Sequence, residues 1–230
     1  MVDAVLLEWE GVLADTGAAR RDSLLRALAD EGVLLSAAVY DACCDGAGVH
    51  GAASAALASA GRSDPTLAEL VALRAGRIFT ERLSRGFTLQ AGAAEFMASA
   101  AHRARIAIVT RASRAETEVA LRLSSLESAV AFVVTDDDVL VPPPAPDLYD
   151  RALAHLSRRR TVARERGAVV ALAQTSAALS SARAAGIRTL AVGAPAHVAV
   201  DADAAVSGLS GLTLEAVVAL LGVAPATMPE

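Results

Sequence analysis

The chain contains no lysine and no asparagine: all 21 of its basic residues are arginine. No lysine can therefore serve in any chemistry here, whatever the origin of the bias, which is of the kind that high-GC coding produces. Aromatic residues make up only 3% of the chain, so platforms on which nucleic-acid bases could stack are scarce. The net charge of −5 likewise disfavours a nucleic-acid partner. There are two cysteines, Cys43 and Cys44, adjacent in sequence. Neighbours rarely bridge and two thiols make no disulfide scaffold, so a reducing, cytoplasmic setting is expected. The N-terminus has no basic region followed by a long apolar run, and no charge-free stretch of about 18 apolar residues occurs elsewhere. Neither a signal peptide nor a membrane span is expected.

What is present is ample apolar material. The chain has 230 residues, 54% of them hydrophobic, which suits one domain or a core domain with a small insert. Much of that fraction is alanine, a small helix former, so close helix packing is expected.

The patterning falls into two regimes. Val2 to Leu7 reads as a buried strand, ending in the apolar run Val5-Leu6-Leu7. Helical spacing follows over Ala18–Glu31, Ser36–Asp45, Ala52–Ala60 and Pro65–Leu83, so residues 17–87 read as all-helical. Strands and helices then alternate. Strands are expected over Arg105–Thr110, Val130–Val134, Gly167–Ala173 and Ile187–Val192. Helices are expected over Ala91–His102, Ser113–Leu123, Asp147–Leu156, Ser176–Ala185 and Leu212–Leu221, with Ser113 as an N-cap. Alternation of this kind implies an α/β fold: a Rossmann-like, doubly wound parallel sheet carrying an inserted, small all-helical cap. The expected division is a core of residues 1–16 and 88–230 and a cap of residues 17–87.

In such sheets the site lies at the carboxyl ends of the strands. That puts Glu8, Glu10, Thr110, the run Thr135-Asp136-Asp137-Asp138 and Gln174 on one rim. Two carboxylates one residue apart at the end of a buried strand are costly to place there without a purpose.

These residues fall into four motifs: Glu8-Trp9-Glu10-Gly11-Val12-Leu13-Ala14-Asp15-Thr16, a strand ending in Thr110, Pro142-Pro143-Pro144-Ala145-Pro146-Asp147-Leu148-Tyr149, and Ala173-Gln174-Thr175 eleven residues before Ala184-Ala185-Gly186. Together they resemble the haloacid dehalogenase superfamily, in its beta-phosphoglucomutase and phosphoglycolate phosphatase branch with a helical cap, over nearly the whole chain. That resemblance implies an aspartyl nucleophile and a second aspartate as acid/base in the first motif. It also implies a threonine and a lysine that anchor and neutralise the transferring phosphoryl group, and a magnesium ion held by carboxylates of the first and fourth motifs.

Four of those five parts are changed here. Glu8 stands at the nucleophile and Glu10 at the acid/base, each one methylene longer; a misplacement of about 1 Å can cost ~10²-fold in rate. Pro143 stands where the lysine belongs, and one lost charge donor costs ~3 kcal/mol or more. Gln174 stands where an anionic metal ligand belongs, a weaker magnesium ligand than a carboxylate. Thr110 alone is kept, as a remnant phosphate anchor. The remnant metal positions are thus Glu8, Glu10 and Gln174. In the cap, Gly51 replaces the arginine that meets substrate phosphate in mutase-like members, with His50 beside it as a residue that could reach the cleft.

Other rim residues carry plainer expectations. Trp9 should pack rather than react. Asp15 and Thr16 should cap the first cap helix, and Asp136–Asp138 should form a solvated turn. Arg111, or else Arg114, is expected to pair with Glu8 or Glu10 and fill the space of metal and phosphate. The basic run Ser157–Arg166 is a solvated loop or a candidate partner surface.

Two functions follow. The first is a catalytically degraded phosphatase-like protein, with little or no activity and no cofactor, that acts as a binding or regulatory module with a protein partner. The alternative is an active magnesium-dependent phosphatase of small phosphomonoesters, a sugar phosphate or phosphoglycolate, using Glu8 as nucleophile. True dehalogenation also needs an aspartate and a lysine and fares no better.

Overall fold

A computed structural model describes residues 2–44, 47–157 and 169–223; the arginine-rich run 158–166 lies outside the described residues. In chain order the elements are β1 (Ala4–Leu7), β2 (Ala14–Asp15), α1 (Gly17–Asp30), α2 (Ala37–Cys44), α3 (Val49–Ser59), α4 (Pro65–Leu83), β3 (Thr88–Leu89), α5 (Ala93–Ala101), β4 (Arg105–Val109) and α6 (Arg114–Ser124). There follow β5 (Phe132–Val134), α7 (Asp147–Ser157), β6 (Val169–Ala173), α8 (Ser176–Ala184), β7 (Arg188–Val192), α9 (Ala196–Ala199), β8 (Ala204–Val206) and α10 (Leu214–Leu221).

The main sheet is parallel throughout, in the order β5-β4-β1-β6-β7-β8. Its strands are apolar on both faces because helices cover both. Val5, Leu7, Ile106 and Ile108 turn to one face, where Phe96 and Met97 of α5 meet them. Leu6, Ala107 and Val109 turn to the other, against Leu148 and Tyr149 of α7. The chain runs from β1 to β4 and β5 on one side and then crosses to β6 on the other side of β1, so the order reverses beside β1, where a crevice opens.

Helices α1–α4 form a cap with its own hydrophobic centre, in which Leu24, Leu28, Leu57 and Val71 interlock with the small Ala53 and Ala72. Alanine at those contacts lets the helices approach closely. The cap is strung on a two-stranded antiparallel ribbon: Ala14 lies opposite Leu89 and Asp15 opposite Thr88. Trp9 is 2% exposed and meets Phe87 edge-on with ring centroids 5.9 Å apart, so it packs as the sequence implies. Among the described residues no helix is long and apolar enough to cross a membrane.

Local signals account for much of this. Ser113 caps α6, accepting from the Glu116 N–H, and Glu116 reaches back to the Ser113 N–H. Asp64 caps α4 through the Thr66 and Leu67 N–H groups, with Pro65 as its first residue. The ribbon β2–β3 and the edge strand β8 have no counterpart in the sequence reading. Two or three residues give no period, and the two strands of the ribbon lie more than seventy residues apart in sequence.

Candidate active site

Glu8 continues β1 by one residue: its N–H donates to the Leu172 carbonyl at 3.0 Å. The chain then reverses tightly. Both the Leu13 and Ala14 N–H groups donate to the Trp9 carbonyl at 3.0 Å, and Gly11 adopts φ +82°, a left-handed conformation that glycine tolerates. This turn sets Glu8 and Glu10 on the same rim with opposite surroundings.

The Glu8 carboxyl points at the start of α8. One oxygen accepts from the backbone N–H of Gln174 at 2.7 Å and of Thr175 at 3.2 Å, and the other from the Thr175 hydroxyl at 2.8 Å. Thr175 is itself the N-cap of α8. An acid at a helix N-terminus gains from the unpaired N–H groups there. Glu8 is nevertheless 7% exposed, and burial raises its pKa above the ordinary carboxylate value against the pull of those three bonds. Burial, with the Glu8 charge added to it, likewise holds the Tyr149 phenol far above its usual pKa.

Glu10 faces the cap. It accepts from Arg20 Nε at 2.7 Å and from the Thr16 hydroxyl at 3.3 Å. Arg20 belongs to α1; it reaches Glu116 of α6 at 3.4 Å and lies 4.0 Å over the Phe79 ring of α4. Burial acts to lower the Arg20 pKa, but Glu10 and Glu116 outweigh it and hold it above its ordinary value.

The remaining rim residues fall around a cavity of about 330 Å³ between cap and core, which Glu8, Glu10, Arg20, Thr110, Arg111 and Gln174 all line. Thr110 is 4% exposed, and its hydroxyl accepts from the Ala112 N–H at 3.1 Å. Gln174 donates its amide to the Gly11 carbonyl at 3.3 Å and the Gly193 carbonyl at 3.2 Å. Burial lowers the Arg111 pKa, opposed by Asp136 first and Glu8 second. Pro143 is buried in its turn and brings neither charge nor donor. His50 is exposed and pairs with Glu69 at 3.0 Å.

Several expectations are corrected by this geometry. The cation bonded to Glu10 is Arg20, and Arg114 is bonded to Asp138 rather than to either glutamate. Thr16 stands at the N-cap of α1, but its hydroxyl serves Glu10 and makes no capping bond. The acids 136–138 are not merely solvated. Asp138 accepts from the Thr135 N–H and hydroxyl, Asp137 accepts from the Arg114 N–H, and burial raises the Asp136 pKa despite the nearby Arg111.

Arg20 is absent from the sequence reading, and Thr175 enters it only as the last residue of the fourth motif, with no role of its own. Arg20 had a signal: it lies four and eight positions before Leu24 and Leu28, a cation on the apolar stripe of its helix.

The donor set fits a magnesium ion poorly. That ion demands near-octahedral oxygen ligands. Here both Glu8 oxygens already accept from α8, Glu10 is held by Arg20, and Gln174 offers only a neutral carbonyl oxygen where a carboxylate is called for. Among the described residues no three His, Cys, Asp or Glu side chains converge as a metal site.

The sequence profile of the haloacid dehalogenase-like hydrolases matches residues 62–192. No curated protein matches the chain by sequence. Among solved structures, CbbY from Rhodobacter sphaeroides in complex with phosphate is similar over 96% of this chain and 100% of its own, at 22% identity and a TM-score of 0.81. A mutant of that protein in complex with xylulose-(1,5)bisphosphate aligns over 94% and 99%, also at 22% identity, with a TM-score of 0.80. Beta-phosphoglucomutase from Clostridium difficile aligns over 96% and 98% at 13% identity and a TM-score of 0.84. At identities this low the likeness shows the fold alone.

Proposed function

The chain belongs to the haloacid dehalogenase-like hydrolases, and on that premise we propose that it keeps the family's cleft for binding while retaining little or no phosphatase activity. One observation carries this reading: both first-motif carboxylates are already committed to protein partners, Glu8 to the start of α8 and Glu10 to Arg20. A nucleophile must be ionised and free to reach phosphorus. Glu8 is pushed by burial toward its neutral form, and each of its oxygens is occupied. An acid/base must meet the leaving-group oxygen. Glu10 instead holds a guanidinium at 2.7 Å.

Two further changes point the same way. Pro143 supplies no cation to the transferring group, and among the described residues no three His, Cys, Asp or Glu side chains converge to hold magnesium. On this reading the candidate catalytic positions Glu8, Glu10 and Thr110 survive as structural and binding residues. The protein then works as a binding or regulatory module, through a ligand of the cleft or a protein partner.

The alternative, a magnesium-dependent phosphatase of small phosphomonoesters with Glu8 as nucleophile, is favoured by one feature: Glu8 and Thr110 still border a single ester-sized cleft. The solved structures holding phosphate and xylulose-(1,5)bisphosphate are consistent with it by analogy only. A panel of small phosphomonoesters assayed with magnesium separates the two. The expected result is background phosphate release, equal in the wild type and in Glu8→Gln. Turnover that Glu8→Gln abolishes establishes the phosphatase instead.

A further inference from the structure

We propose that Arg20 is an internal latch that holds the cap closed on the core with no ligand in the cleft. The cap joins the core through the ribbon β2–β3, the natural place for the two bodies to swing. Arg20 lies five residues beyond β2, on the first turn of α1, and faces the core. Its side chain is only 12% exposed.

Three contacts meet at that guanidinium, from both sides of the cleft. Glu10, from the loop after β1, takes Nε at 2.7 Å, and Glu116, from α6, takes a terminal nitrogen at 3.4 Å. Both are core residues. The flat face lies over Phe79, a cap residue of α4, at 4.0 Å. A guanidinium suits this place because its donors fork in one plane while its face stacks on a ring; an ammonium does one or the other.

Glu116 is built for its part. It is 3% exposed and pinned by the capping box of α6. Gly76 of α4 lies over it, so that α4 packs directly against this acid. Glu10 is steadied by the Thr16 hydroxyl at the hinge. The pull on α1 passes to the rest of the cap, since Arg82 of α4 bonds the Ala19 carbonyl and pairs with Asp22.

Opening the cleft therefore means separating a mostly buried cation from two carboxylates at once, leaving Glu116 without its counter-ion. Such separations are costly when the charges are shielded from water. Where closure is instead driven by a charged ligand, the ligand-free protein rests open. Here the closing charges belong to the chain itself. This inference rests on the contacts alone and stands whether or not esters are hydrolysed.

Two variants and two measurements test it. Arg20→Met keeps an apolar stem over Phe79 and removes the charge; Glu10→Gln with Glu116→Gln removes the attraction from the core side and leaves Arg20 in place. Ligand-free wild-type protein should scatter X-rays as the closed form, and both variants should show a larger radius of gyration. Backbone amides of residues 13–20 and 86–92 should exchange about tenfold to a hundredfold faster in the variants, at unchanged protection of β1, β4 and β6. Arg20→Lys should recover only part of the protection. The latch is refuted if wild-type protein already scatters as the open form, or if folded Arg20→Met, or the double glutamine variant should Arg20→Met not fold, keeps the wild-type dimensions and hinge exchange.

Discussion

Gly92→Ala is expected to destabilise the protein by about 3 kcal/mol, a fall in melting temperature of about 6–12 °C for a chain of this length. Gly92 stands before α5 with φ +82°, where an alanine costs about 1–2 kcal/mol in backbone strain alone. Space adds the rest. A Cβ built there lies 2.5 Å from the Ser210 nitrogen and 2.6 Å from the Leu209 carbonyl carbon and oxygen. All three atoms are backbone, and Leu209 is 1% exposed in the main core, so nothing flexible can move aside. Gly61→Ala is the control. Its φ is +73°, but nothing lies within 4 Å of the added carbon, so only the strain of about 1 kcal/mol should appear. Thermal melts of the two variants should differ by the crowding share; equal losses would show that the Leu209–Ser210 segment yields.

That comparison bears on what a sequence can disclose. The sheet was legible because its strands, Ala4–Leu7 and Val169–Ala173 above all, are unbroken apolar runs covered on both faces. The cap was legible because Leu24 and Leu28 keep helical spacing before the stop at Gly32. Gly92 gave no such signal. Its need for a bare backbone arises from Leu209 and Ser210, more than a hundred residues onward, and no local pattern encodes that approach. The ribbon β2–β3 escaped for the same reason.

The site divides along the same line. Glu8, Glu10, Thr110 and Gln174 could be grouped in advance because parallel strands bring their carboxyl ends to one rim. What each side chain bonds to could not. Glutamate is one methylene longer than aspartate, and in this chain that length carries Glu8 into the N-terminus of α8. The sequence singles out Arg111 because it follows Thr110 on the rim, whereas the cation bonded to Glu10 is Arg20, delivered by the first turn of α1. The acids 136–138 read as a solvated turn because the resembled family commonly carries acidic residues there; Thr135 and Arg114, which bond Asp138, could not be foreseen from that pattern.

Glu8→Gln is expected to melt higher than the wild type at pH 8 and alongside it near pH 4. Burial raises the Glu8 pKa in the folded protein, so between the unfolded and folded values the native state binds more protons than the unfolded chain. The slope of stability with pH is then negative. The stability that protonated Glu8 contributes is complete below the ordinary carboxylate pKa and is lost as pH rises through the raised folded value. Glutamine imitates the protonated acid: its carbonyl oxygen can accept from the Gln174 and Thr175 N–H groups, and it carries no charge to bury. Each kcal/mol of relief at pH 8 should appear as about 2–4 °C. Melts of both proteins at pH 4, 6 and 8 check this. A Glu8→Gln protein that melts lower than the wild type at pH 8, by more than at pH 4, would mean that the bonds from α8 outweigh burial and hold Glu8 ionised. An ionised Glu8 would return to the cleft one of the charges that phosphoryl transfer requires, so a melting curve also weighs the binding module against the phosphatase.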